Sequence, residues 1–150
     1  MIKKLAIEIL VFLFVVLFVY AALNKVLEFQ KFTVQIGQSP LLTGFGGFVP
    51  GLVIGVEFIV VVLLLVPRLR LVGFFAAFSL MTMFTAYIGA ILTYSPYVPC
   101  SCGGVLEKFS WTEHLIFNSG FVVLGLAGIV LQAGQDWEQE FNESITRLEK

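Results

Sequence analysis

The chain has 150 residues, 59% of them apolar and 13% charged, with a net charge of -1 and two cysteines. A soluble domain carries roughly 25% charged residues, so this composition is that of a membrane protein, and it excludes a basic nucleic-acid binder and a disulfide-rich secreted scaffold. Four spans of ~20 residues would use ~80 positions, which leaves no room for a separate soluble catalytic domain.

The first apolar run extends from Leu5 to Leu23 behind Lys3 and Lys4. Its length, the Glu8 inside it and the lack of an A-x-A site before Asn24 and Lys25 predict a retained span rather than a cleaved signal peptide. Glu8 lies near the span's end, where its carboxylate can snorkel to the surface. Beyond the run, Val26, Phe29, Phe32 and Ile36 recur at helical spacing up to Gly37, a C-cap candidate. They predict a short interfacial helix after the first span. Pro40, Gly44, Gly46 and Gly47 then form a flexible approach to the second run, Phe48 to Val66. Its Gly51-x-x-x-Gly55 spacing predicts close packing against another helix of the same chain, with dimerisation as the alternative.

Glu57 is the midpoint of that second run, about 13 Å from either end at 1.5 Å per residue. A central acidic residue costs ~3 kcal/mol on insertion scales, so Glu57 must face the interior, protonated or paired. With no basic residue in the run at that depth, it is expected to be neutral. Asn118, Thr82 and Thr85 are its expected neighbours, and a structural hydrogen bond competes with a functional proton or ligand site.

The basic turn Pro67-Arg68-Leu69-Arg70 leads into a third span, Leu71 to Tyr94, antiparallel to the second. The loop that follows holds both cysteines, in Pro99-Cys100-Ser-Cys102-Gly-Gly104. A disulfide closed over one intervening residue would be strained, and strained exposed disulfides are the labile, oxidising ones. Redox exchange is one reading of the loop, and a static disulfide pinning it is another. A metal site is the third, because the two sulfurs and His114 would make three of the four ligands that a structural zinc requires.

The fourth span starts at Ser110-Trp111-Thr112-Glu113, which fits an S-x-x-E capping box, and fades near Leu131. A helix N-terminus near the cysteines favours the reactive thiolate. Trp111, His114 and Asn118 share one helix face: either an interfacial Trp, a solvated His and an inter-helix hydrogen bond, or one wall of a site beneath the loop. Residues 132–150 form an acidic tail after the membrane domain of residues 1–131.

Orientation rests on the basic residues. With the N-terminus inside, Lys3, Lys4, Arg68, Arg70, Arg147 and Lys150 are cytoplasmic, whereas Lys25, Lys31 and Lys108 are outside. The cysteine loop is then periplasmic and both termini cytoplasmic in a bacterial inner membrane.

Several of these segments together resemble the MauE/DoxX-like family of small, redox-associated bacterial membrane proteins. They are Ala21-Ala-Leu-Asn-Lys25-Val-Leu-Glu-Phe29, Gln38-Ser-Pro-Leu-Leu42, Glu57, Pro99-Cys-Ser-Cys-Gly-Gly104 and Trp111-x-x-His114-x-x-x-Asn118. The resemblance spans roughly residues 10 to 130. It implies an all-α, integral membrane four-helix bundle linked to maturation of periplasmic thiol or disulfide proteins. Membrane disulfide generators use two cysteine pairs, and this chain has one, so it cannot form a full relay alone.

The leading expectation is a thiol-disulfide exchange or electron-transfer component with Cys100 and Cys102 as the exchanging pair and His114 as proton acceptor. Trp111, Asn118 and Glu57 are the candidate cofactor contacts. A quinone would suit the apolar bundle near His114, although no motif specifies one. Expected partners are membrane lipid, a periplasmic thioredoxin-like or thiol client protein, and other membrane subunits, with no nucleic acid. The rival is a non-enzymatic subunit or assembly factor with a structural loop disulfide. A transporter using Glu57 ranks third, because four short spans give little room for alternating access.

Overall fold

The computed structural model describes residues 2–38, 47–94 and 110–148, and all regular structure among them is helical. Helix α1 covers Ile2–Leu27, α2 Phe29–Gln38, α3 Val49–Leu65, α4 Arg70–Tyr94 and α5 Trp111–Leu148. Three of them, α1, α4 and α5, are long and apolar enough to cross a membrane, and α3 is a shorter apolar helix of 17 residues. The protein is therefore a membrane protein.

Most boundaries follow the apolar runs to within a turn. The largest difference is α5, whose 38 residues continue without a break through the acidic stretch to Leu148. At 1.5 Å per residue it is about 57 Å long, nearly twice the ~30 Å hydrocarbon core of a bilayer.

Helices α1 and α2 are almost continuous across Glu28: its N–H donates to the Asn24 carbonyl at 3.0 Å, and Phe32 N–H donates to the Glu28 carbonyl at 2.9 Å. Gly37, expected just past a helix end, lies inside α2. The α2 face with Phe32 and Ile36 is buried, and α2 touches α1 and α3.

The tight connection from α3 to α4 is a proline effect. Val66 precedes Pro67, whose ring disfavours the helical region for its neighbour, and Val66 is extended at φ -87° and ψ 111°. A 3-10 turn over Pro67–Leu69 then leads directly into α4. Arg70, at the start of α4, grips Glu8 of α1 through two bonds, Nη1 to Oε1 at 2.5 Å and Nη2 to Oε2 at 3.1 Å. Glu8 is thus a bidentate ion-pair partner rather than a carboxylate simply snorkelling to water.

Packing runs from α1 to α3, from α3 to α4, from α4 to α5 and from α5 back to α1. Phe14 of α1 sits at the centre, fully buried. Its ring meets Phe74 of α4 edge-on at 6.2 Å and Phe121 of α5 edge-on at 5.4 Å. Phe18, Val60, Leu64 and Met81 extend the same core.

Glycines set two of the closest approaches, but not the two expected. Among the described residues, a Cβ on Gly51 or Gly55 would meet nothing within 4 Å, so the Gly-x-x-x-Gly pair packs against none of the described helices. A Cβ on Gly73 would instead come within 2.9 Å of the Leu64 backbone nitrogen, and one on Gly128 within 2.5 Å of the Phe74 ring. Backbone contact in a membrane bundle goes to whichever glycines face a neighbouring helix, and here those lie on α4 and α5.

Candidate functional site

An acidic residue in the middle of an apolar helix has to find a partner within the protein. Glu57, at the centre of α3, has no exposed side-chain surface, and Lys25 from the last turn of α1 reaches it. Lys25 Nζ donates to Glu57 Oε1 at 2.7 Å, and the lysine side chain retains only 16% exposure. The same ammonium lies 5.8 Å from the Phe32 ring centroid and 5.7 Å from that of Phe84, at the outer limit of cation-π contact. Elements α1, α2, α3 and α4 therefore all contribute to one polar centre. Asn24, next to Lys25, is committed locally: its Nδ2 donates to the Tyr20 carbonyl at 2.9 Å.

This pair gives Glu57 a partner that the sequence reading did not assign to it. Its expected neutrality rested on the lack of a basic group at its depth, and Lys25 supplies one. Thr82 and Thr85 are not its partners: each hydroxyl donates to a carbonyl of its own helix, Phe78 and Met81 respectively, both at 2.7 Å. Glu57 Oε2 is buried and has no hydrogen-bond partner among the described residues. A buried carboxylate oxygen with a free lone pair can accept a proton or a hydrogen bond from a donor brought to it.

The start of α5 behaves as its sequence dictates. Ser110 N–H donates to Glu113 Oε2 at 2.7 Å, and Glu113 N–H donates to Ser110 Oγ at 3.3 Å. Both halves of the capping box are formed. His114, in the first turn, is half-buried and close enough to Lys25 to feel its charge. Asn118, one turn further, is 5% exposed. It lies seven residues before Gly125, which approaches Phe78 of α4, so His114 and Asn118 share the inward side of the helix. Two of the three polar residues expected on one face are thus inward.

Cys100 and Cys102 lie outside the described residues, as do Pro40, Gly44, Gly46 and the side chain of Trp111. Among the described residues, no three His, Cys, Asp or Glu side chains converge as a metal site. Sequence reasoning missed Lys25 as a site residue. It sits at the end of a span, where a lysine ordinarily reaches outward to water, and its partner is 32 positions away. The usable signal was a lone carboxylate in a helix that offers no other way to satisfy it.

No curated protein and no solved structure matches the sequence significantly. A family model, that of methylamine utilisation protein MauE, matches residues 3–131, a stretch that includes the Lys25–Glu57 pair, both cysteines and α5 as far as Leu131. The chain belongs to the MauE family.

Proposed function

We propose that this protein is a four-span inner-membrane component of thiol-disulfide chemistry, serving the maturation of a periplasmic client protein in methylamine utilisation. The observation that carries this reading is the Cys100-Ser-Cys102 pair. It contains the chain's only thiols, eight residues ahead of the capped start of α5. Family membership supplies the link to methylamine utilisation.

In this reading α1, α3, α4 and α5 each cross the bilayer, α2 lies at the outer interface, and residues 132–150 are cytoplasmic. Lys25 and Arg70 are each ion-paired and little exposed; setting both aside leaves Lys31 and Lys108 outside against Lys3, Lys4 and Arg68 on the cytoplasmic side, a balance that still favours this orientation.

The exchange balances as follows. A client thiolate attacks one sulfur of the Cys100–Cys102 disulfide, the S–S bond breaks, and the other sulfur leaves as a thiolate that takes up a proton. The client's second thiolate then attacks the mixed disulfide, releasing the client oxidised and the pair as a dithiol. Two electrons have moved to this chain, with the client's two protons. His114 acts as the nearby proton acceptor. An acceptor of the quinone class would take two electrons and two protons from the dithiol. His114 and Glu57 Oε2, which has no hydrogen-bond partner among the described residues, are suited to accept from the hydroxyls of its reduced form, with Asn118 and Trp111 on the same helix as His114 as further contacts.

The test is trapping. A single remaining thiol can begin exchange but cannot resolve the mixed disulfide. One of Cys100→Ser and Cys102→Ser should therefore accumulate a reductant-sensitive adduct with a client on a gel, and the double variant should trap nothing. Absence of an adduct from both single variants, together with full activity of the double variant, would favour the rival reading: a non-enzymatic maturation subunit whose loop only shapes a partner surface.

A further inference from the structure

Among the described residues, the outer face of α5 is unpartnered along nearly its whole length, and its pattern is stricter than lipid contact requires. Alternating steps of four and three residues run from Ile116 to Leu148. One set at seven-residue spacing is large: Ile116, Val123, Val130 and Trp137, all exposed. The interleaved set is small through the apolar part, at Gly120, Ala127 and Gly134, and becomes large beyond it, at Phe141 and Leu148. Ser144 is the only polar member. A Cβ on Gly120 or Gly134 would meet nothing within 4 Å, whereas Asn118, Gly125, Gly128 and Gln132 on the opposite face are buried. A sustained seven-residue period is the seam of a left-handed pair of helices, and small residues at alternate layers let the two backbones approach.

Lipid can cover this face only as far as the membrane reaches. A span of ~20 residues beginning at Ser110 ends near Val130, and the following residues are rich in Gln, Asp and Glu. Trp137 is 71% exposed, Phe141 56% and Leu148 87%. These three continue the membrane stripe in the same register, on one uninterrupted helix.

We propose that this stripe is a homodimer seam, with two copies of the chain pairing their α5 helices in parallel and in register from Ile116 to Leu148. Copies of one membrane protein insert with the same orientation, so the same stripe on each meets itself about a two-fold axis. The flanking charges permit it. In a parallel pair, each flanking residue faces the position five further along its partner, which sets Ala133 opposite Glu138 and Glu140 opposite Ile145. No two carboxylates oppose each other, and Glu138 is held by Lys3 of its own chain at 2.5 Å. The area is sufficient. The Trp137 and Phe141 rings can bury ~150–250 Å² each, so the four rings of a dimer supply a large part of the ~1,200 Å² of a stable interface, and the membrane half of the seam adds the rest.

The test is oxidative cross-linking of the full chain in its native membrane, with Cys100→Ser and Cys102→Ser as background. Gly134→Cys and Phe141→Cys on the seam should give a disulfide-linked dimer at least tenfold more efficiently than Gln139→Cys on the opposite face. Separately, in the otherwise native chain, Trp137→Glu with Phe141→Glu should convert dimer to monomer by sedimentation in mild detergent, with unchanged helical circular dichroism. Equal cross-linking at Gln139→Cys would overturn the seam, as would absence of dimer from both seam positions while the chain accumulates normally. A seam adduct to a different protein, or quenching of Trp137 by brominated lipid, would assign the stripe to another partner or to the membrane surface and equally refute the dimer.

Discussion

Lys25 and Glu57 show how a membrane interior forces two distant residues together. Removing one member of a buried ion pair leaves the other charge uncompensated, at a cost of ~3–5 kcal/mol, whereas replacing both is far better tolerated. Glu57→Gln and Lys25→Met should each lower thermal stability in detergent by that order, and the double variant should recover most of the loss. A neutral Glu57→Gln would mean that the carboxyl does not depend on Lys25. The burial of Glu57 was legible, because a carboxylate amid an apolar helix has no other site available. Its partner was not, since a lysine at a span end reads as an exterior charge until the fold turns it inward.

At the scale of elements, the three long apolar helices and the shorter α3 were legible, because apolar runs of that length have few alternatives to helix in a bilayer. The α5 cap was legible because Ser110 and Glu113 need only each other. Helix contacts were not: Gly51 and Gly55 form a recognisable motif yet meet no neighbour among the described residues, while Gly73 and Gly128 belong to no motif and carry tight contacts. Periodicity gives a helix its faces without saying which face meets which neighbour. Gly128→Val would drive a side chain into the Phe74 ring, which is buried and already packed edge-on against Phe14. Overpacking of this kind costs typically ~1–3 kcal/mol, and should appear as a lower unfolding temperature. Gly51→Ala and Gly55→Ala should be neutral or stabilising by up to ~1 kcal/mol, since the added methyl meets nothing and alanine is the better helix former.

Across the whole molecule, two long-range ion pairs and one tight turn gather at one end of the helices. Arg70 binds Glu8, Lys3 binds Glu138, and the Pro67–Leu69 turn joins α3 to α4. Lys25–Glu57 and the capped start of α5 lie away from that end. The orientation proposed here makes the first end cytoplasmic. Reporter fusions should therefore give a cytoplasmic signal after Lys150 and a periplasmic one at Gly104, and the reverse result would remove the oxidising compartment on which the cysteine argument depends. The thiol chemistry is where sequence reasoning reaches furthest beyond the fold, since Cys100 and Cys102 are outside the described residues. A loop that short constrains little unfolded-chain entropy, so losing its disulfide should leave the helical packing intact and affect function alone. The most direct measurement is thiol trapping in intact cells, comparing alkylation of Cys100 and Cys102 with and without reductant under conditions where the protein works. Exchange chemistry predicts that the pair is found in both oxidation states and shifts towards the dithiol with reductant. A pair that stays in a single state under strong reductant while activity persists would contradict it.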